Sequence, residues 1–262
     1  MKLGIIGATG WLGAALGTRM LAAGWPAGDM LLLNRSAPRD AYAAWPGVRW
    51  MSDAAALCAG AEVLVLSVRP ADFPMPGYAP GARLVISFMT AWSLDRLAAL
   101  HPGAAIVRAM PNSGAPTGQS FTPWVATPGL SETDRALVRR ILGAMGDQAE
   151  VASEDQLDYL SALSGSGAAY PALMAQAMLA HAAGQGVPPE IAQKAVASVL
   201  ASGGAMASEV AGVAAMLAAY HGYRGITAAG LRAADAAGMP QAVSAALDAA
   251  RDHARKMTRD GV

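Results

Sequence analysis

Cysteine occurs once in the 262-residue chain, at Cys58. An intrachain disulfide is excluded, and so is a cluster of thiolate metal ligands. Histidine is also scarce. His101, His181, His221 and His253 are scattered without ligand spacing, so no metal site is expected. Charged residues make up only 15%, and 19 Lys and Arg balance 19 Asp and Glu. A formal net charge of zero offers no general field for nucleic acid or an anionic membrane, and neither is expected as a partner. No stretch of about 18 apolar residues is free of charge, Gly and Pro, which argues against a membrane-spanning helix. The apolar run Leu3–Gly7 is too short for a signal peptide. A cytoplasmic protein is expected.

Apolar residues are plentiful, at 54%. A chain this long is expected to divide its core between two domains. The first part alternates short apolar runs with helices. Strands are expected at Lys2–Gly7, Met30–Asn34, Val48–Met51, Glu62–Val68, Arg83–Ser87, Ala104–Ala109, Phe121–Ala126 and Gln148–Val151. An antiparallel pair is expected among the last of these. Ser52, Ser131 and Ser153 are placed to cap helices. Beyond residue 153 the chain reads as helical, and its Ala- and Met-rich helices are apolar on most faces. Such helices need covering, which points to a homo-oligomer. The fold class is α/β: a Rossmann dinucleotide-binding domain over 1–152, then an all-helical domain over 153–262.

Two stretches near the N-terminus point to a cofactor. After the first strand comes Gly7-Ala8-Thr9-Gly10-Trp11-Leu12-Gly13, opening a helix. Strand, glycine turn and helix start a dinucleotide-binding unit, because glycines let a pyrophosphate approach the amides at the helix start. The spacing is G-x-x-G-x-x-G rather than G-x-G-x-x-G. The second strand ends in Asn34-Arg35-Ser36, where a carboxylate would hold a ribose 2′-hydroxyl. A guanidinium flanked by two polar side chains suits a 2′-phosphate instead, favouring NADP (NADPH) with NAD possible.

Ser164-Gly165-Ser166-Gly167-Ala168-Ala169-Tyr170 lies where the alternating part meets the helical part. Its hydroxyls and amides carry no bulky neighbour to screen a ligand. Further on, a polar, glycine-bearing loop is expected at His221-Gly222-Tyr223-Arg224-Gly225-Ile226-Thr227, followed by a helix to Ala237.

Three of these motifs resemble the pyrroline-5-carboxylate reductases. Val65-Leu66-Ser67-Val68-Arg69-Pro70 is similar to that family's V-K-P, Arg108-Ala109-Met110-Pro111-Asn112 to its R-x-M-P-N, and Leu163–Tyr170 to its L-S-G-S-G-P-A-Y. Thr227-Ala228-Ala229-Gly230-Leu231 is a further partial match. The resemblance runs along nearly the whole chain. It implies reduction of a cyclic imine, 1-pyrroline-5-carboxylate, to L-proline with NADPH or NADH. It also implies a C-terminal dimerisation domain and an active site where subunits meet. Gly7–Leu12, Asn34, Arg35, Ser36, Val68, Arg69, Pro70, Met110, Pro111 and Asn112 would then line the cofactor. Ser166 and Gly167 would lie by the nicotinamide and substrate, and Thr227 would bond the imine nitrogen. Glu209 is a further candidate for orienting water or substrate.

The chain departs from the family pattern at named places. Arg69 replaces the Lys of V-K-P and Ala168 the Pro of G-S-G-P. The family's S-P-G-G-T-T, which holds the substrate carboxylate, is replaced by 221–227, with Arg224 for a glycine and Ile226 for a threonine. Arg224 could itself clamp a carboxylate, beside Gly225. The alternatives are a paralogous reductase of another cyclic imine or keto compound, or a nucleotide-binding protein without turnover. β-Hydroxyacid dehydrogenases share the plan but use a lysine early in the helical domain. Lys2, Lys194 and Lys256 are the only lysines, and none is near Ser164–Tyr170.

Overall fold

A computed structural model describes residues 1–35, 39–167, 169–207 and 210–260, with backbone alone at 210, 211 and 260. Ser36, Ala168 and Glu209 lie outside the described residues. The chain forms two compact units, 1–165 with 250–262, and 166–249. The break at Gly165–Ser166 falls inside the Ser164–Tyr170 stretch. It does not coincide with the expected division after residue 152, because the next helix packs with the sheet and residues 250–262 return to it.

The first unit runs β1 (Leu3–Ile6), α1 (Trp11–Ala22), β2 (Met30–Leu33), β3 (Arg49–Trp50), α2 (Ala54–Gly60), β4 (Val63–Leu66), β5 (Leu84–Ser87) and α3 (Leu94–Leu100). It continues β6 (Ala105–Ala109), β7 (Ser120–Ala126), α4 (Glu132–Gly143), β8 (Gly146–Glu150) and α5 (Glu154–Leu160). The sheet order is 3-2-1-4-5-6-7-8. All pairs are parallel except β6 with β7, where Arg108 faces Val125. This is the expected Rossmann arrangement with its antiparallel pair.

The continuous apolar runs have a simple cause. In a pleated strand, neighbouring side chains point to opposite faces, and a sheet covered on both faces needs both sets apolar. Leu3, Ile5, Val63, Val65, Leu84 and Ile86 join α1 and α4 in one core. Ile6, Leu64, Leu66, Val85 and Ile106 join α2 and α3 in the other. Gly4 lets α2 come close, since a Cβ there would stand 2.8 Å from atoms of Leu57 and Ala61.

Caps follow the sequence with one correction. Ser131 and Ser153 accept from the amides of Asp134 and Gln156. At α2 the cap is Asp53, not Ser52. The longer Asp53 side chain reaches the Ala56 amide at 2.7 Å, and Ser52 Oγ donates to the same carboxylate at 2.8 Å.

Arg108 on β6 is fully buried. Its guanidinium pairs with Glu154, lies 3.7 Å from Asp158 and donates to Thr258 at 3.5 Å. Burial pushes the Asp158 carboxyl up; Arg108 opposes this and Glu154 adds to it. Thr258 also donates to Asp158 at 3.4 Å, and Arg255 pairs with Asp155 at 3.3 Å. These bonds tie Arg255 and Thr258, near the end of the chain, into the sheet unit.

The second unit holds α6 (Ala169–Gly184), α7 (Pro189–Ala207), α8 (Val210–Gly222), α9 (Ile226–Ala236) and the start of α10 (Met239–Asp260). α7 runs unbroken through Gly203-Gly204. Among the described residues, no helix is long and apolar enough to cross a membrane.

Candidate functional site

A cleft of about 610 Å³ opens at the C-terminal ends of β1, β2 and β4. Strand order reverses at β1, and such a switch point is where open α/β sheets bind ligands. Gly7, Thr9 and Gly10 line it from β1, Asn34 and Arg35 from β2, Ser67, Val68 and Arg69 from β4. Ala8, Trp11, Leu12 and Pro70 adjoin these positions without lining the cleft. Trp11 stands 69% exposed at the start of α1.

The three glycines of the turn play different parts, and two of them have no room for a side chain. Gly7 has φ +88°, in the left-handed region, and a Cβ there would collide with the Ser67 carbonyl. Gly10 takes the N-cap position of α1 without a capping side chain. A Cβ on Gly13 would collide with the Gly7 carbonyl, so the helix can press against the turn only with glycine there.

The turn uses some of its amides itself. Those of Gly7 and Ala8 donate to Leu33 O, and that of Gly10 to Gly7 O. The first turn of α1 has amides with no partner inside the helix and no acidic side chain to compete for them. The helix N-terminus therefore offers donors and partial positive charge to an anion. This donor set fits a dinucleotide pyrophosphate.

Tyr42, which sequence reasoning missed, braces this turn from behind. Its hydroxyl donates to Ala8 O at 2.9 Å and lies 3.2 Å from Gly13 O. The ring is buried and meets Trp50 edge-on at 5.5 Å. Burial pushes the phenol up, so it remains a proton donor. Gly17 makes room for it, because a Cβ there would strike the Tyr42 hydroxyl. No local signal in the sequence marks a tyrosine whose partners lie 34 and 29 residues away.

Arg35 is paired. Its Nη1 lies 3.2 Å from Oδ1 of Asp72, another cleft residue absent from the expected set. Ser52, Met75 and Pro76 complete that side.

Met110, Pro111 and Asn112 do not line the cleft. Met110 is buried against Val125 and Leu157, and Pro111 is buried. Asn112 Oδ1 accepts from the Gly114 amide at 2.9 Å, and the Asn112 amide donates to Ser120 Oγ at 3.0 Å. These bonds shape the turn into β7.

The remaining candidates belong to the helical unit. Ser164, just before it, was expected to bare its hydroxyl but donates it to Leu160 O at 2.8 Å within a π-helical turn, Ser161–Gly165. Ser166 and Gly167 form the half-buried turn into α6, accepting from the amides of Ala169 and Tyr170. The expected 221–227 loop is mostly helix. His221 and Gly222 end α8, Ile226 and Thr227 begin α9, and only 223–225 connect them. Gly222 and Gly225 look like breakers, yet one sits at a helix end and the other at the N-cap. Arg224 and Thr227 are exposed, with Gly225 between them in extended conformation. No hydrogen bond among the described residues joins Ser166 or Gly167 to 224–227.

Comparisons with known proteins agree with this architecture. The family model for pyrroline-5-carboxylate reductase dimerisation matches residues 154–257. Pyrroline-5-carboxylate reductase from Synechocystis is 34% identical over 200 residues, 74% of each chain. The chain belongs to the pyrroline-5-carboxylate reductase family. A solved structure of 1-pyrroline-5-carboxylate reductase from Streptococcus pyogenes superposes with TM-score 0.83, covering 98% of both chains at 26% identity. Pyrroline carboxylate reductase from Plasmodium falciparum, solved with NADP bound, shares the fold at TM-score 0.82 and 21% identity, again over 98% of both chains. The family places the chain among oxidoreductases, and its dimerisation match begins one residue after the expected domain start at 153.

Proposed function

We propose that this protein reduces 1-pyrroline-5-carboxylate to L-proline with NADPH, as a homodimer or higher homo-oligomer formed through its helical unit. The observation that carries this is the cleft at the β1–β4 switch point in a chain of this family. The uncapped first turn of α1 takes the pyrophosphate, and Arg35 takes the 2′-phosphate. NADPH, when bound, supplies a hydride to the imine carbon.

The protein's own task is then to bind, orient and deliver a proton. A protonated imine accepts hydride more readily, so a hydroxyl donor to its nitrogen is enough, and no strongly shifted acid–base pair is required. Thr227 supplies that hydroxyl. Its place in the first turn of α9 sets it beside amides with no partner inside the helix, which suit the substrate carboxylate together with Arg224 and Gly225. Ser166 and Gly167 form the small-residue wall by the nicotinamide. Glu209 keeps its candidate role in orienting water or substrate. A neutral chain without a membrane-spanning helix among its described residues suits a cytoplasmic enzyme of small-molecule metabolism with no nucleic-acid partner.

The test is NADPH oxidation across a panel: pyrroline-5-carboxylate, pyrroline-2-carboxylate, the six-membered imine acid and simple 2-keto acids. Turnover highest on pyrroline-5-carboxylate supports the proposal. A clear preference for another compound overturns the substrate and favours the paralogue reading, to which Arg224 and Ile226 give a specific basis. Thr227→Ala should lower kcat at least about tenfold with little change in KM for NADPH, as loss of a proton donor requires. Unchanged kcat would remove Thr227 from the chemistry.

A further inference from the structure

The sequence has no carboxylate at the end of β2, the place where one would hold a ribose 2′-hydroxyl. The fold supplies one from elsewhere. Asp72 ends the short turn Pro70–Asp72 after β4, and its amide donates to Arg69 O at 2.9 Å. From there its Oδ1 accepts from Arg35 Nη1 at 3.2 Å, across 37 residues of chain. Both side chains line the same cleft. Arg35 is otherwise 83% exposed, so the Asp72 carboxylate fixes where its guanidinium rests.

We propose that Asp72 is a specificity-determining residue for the 2′ position of the cofactor. The inference rests on the assignment of this cleft to NADPH. Toward a 2′-phosphate the carboxylate acts twice: it occupies the cation the phosphate needs, and it repels the phosphate charge. Toward a 2′-hydroxyl it is an acceptor and repels nothing. An exposed ion pair is weak, and a phosphate carries more charge and more acceptor oxygens than a carboxylate. The phosphate therefore takes Arg35 from Asp72, at a loss of part of its advantage. Asp72 narrows the gap between NADPH and NADH, and the enzyme accepts both.

The experiment is fluorescence titration of the full-length protein with NADPH and with NADH, which differ only in the 2′-phosphate. Asp72→Asn should tighten NADPH roughly two- to fivefold, the range an exposed ion pair allows, and leave NADH unchanged or weaker. Asp72→Glu, which keeps the carboxylate, should keep the wild-type ratio. In an Arg35→Ala background the gain from Asp72→Asn should shrink, since no guanidinium remains to be released. An unchanged NADPH-to-NADH ratio in Asp72→Asn overturns the role of Asp72. If Arg35→Ala still weakens NADPH selectively in that case, the cofactor assignment stands without it. If the wild-type protein binds neither nucleotide, both fall.

Discussion

The sheet unit and the helical unit reach opposite balances with apolar residues. In the sheet unit, both faces are lined by fully buried Leu, Ile and Val, and even an arginine is enclosed with its partners. In 166–249 only Ala192, Val196 and Ala228 are buried among the described residues. The same stretch shows large apolar side chains to solvent, Leu173, Leu217, Ile226 and Val243 among them, with Ile226 93% exposed. Soluble monomers do not carry so much apolar surface on one unit without a use for it. One unit completes its core within the chain, and the other leaves its apolar side chains open, as the proposed homo-oligomer requires.

This contrast can be broken first at its strongest point. Arg108→Leu leaves Glu154 and Asp158 without their buried cation and should cost about 3–5 kcal/mol in urea unfolding. The cost should grow between pH 4 and pH 7. Burial raises the Asp158 carboxyl and Arg108 opposes that rise, so without Arg108 the carboxyl rises further and the variant loses more stability than the wild type as pH rises. A loss that is flat with pH would mean the carboxylates had found water.

A charge on the helical unit comes next. Leu173→Asp, at a position 65% exposed in one chain, should weaken self-association by about a hundredfold or more while leaving monomer helicity intact. Sedimentation velocity reads this directly. An unaltered oligomer would show that the face around Leu173 is free. Tyr42→Phe should be smaller, about 1 kcal/mol of stability for the lost hydrogen bond. It should also raise KM for NADPH severalfold at unchanged kcat, because the glycine turn loses its brace.

The smallest effect is a pH dependence confined to the sheet unit. His101 Nδ1 donates to Leu97 O at 2.7 Å, so Nε2 is left to accept from the Tyr78 hydroxyl. Burial lowers its pKa, opposed by the bond to Leu97. Its contribution is present above the unfolded value near about 6.5 and lost as pH falls below it. His101→Gln should flatten that part of the stability curve.

Much of the sheet was legible because strands buried on both faces write themselves as apolar runs with turn residues between them. The glycine turn was legible for a similar reason: its physics is local. Tyr42 and Asp72 were not, because each acts on a backbone or side chain far away in sequence. The 221–227 segment misled because glycine marks helix ends as readily as loops. The place of Arg108 was half legible, as a motif residue without its partners. Glu154, Asp158 and Thr258 become its neighbours only through the path of the chain.

That path sets an order of events during synthesis. Residues 250–262 belong to the sheet unit but are made after the entire helical unit. Until they arrive, Asp158 lacks Thr258 and Asp155 lacks Arg255. A ribosome-bound chain that stops before residue 250 thus holds a sheet unit short of its last fastening. Its final closure comes after the synthesis of the helices through which the homo-oligomer is proposed to form.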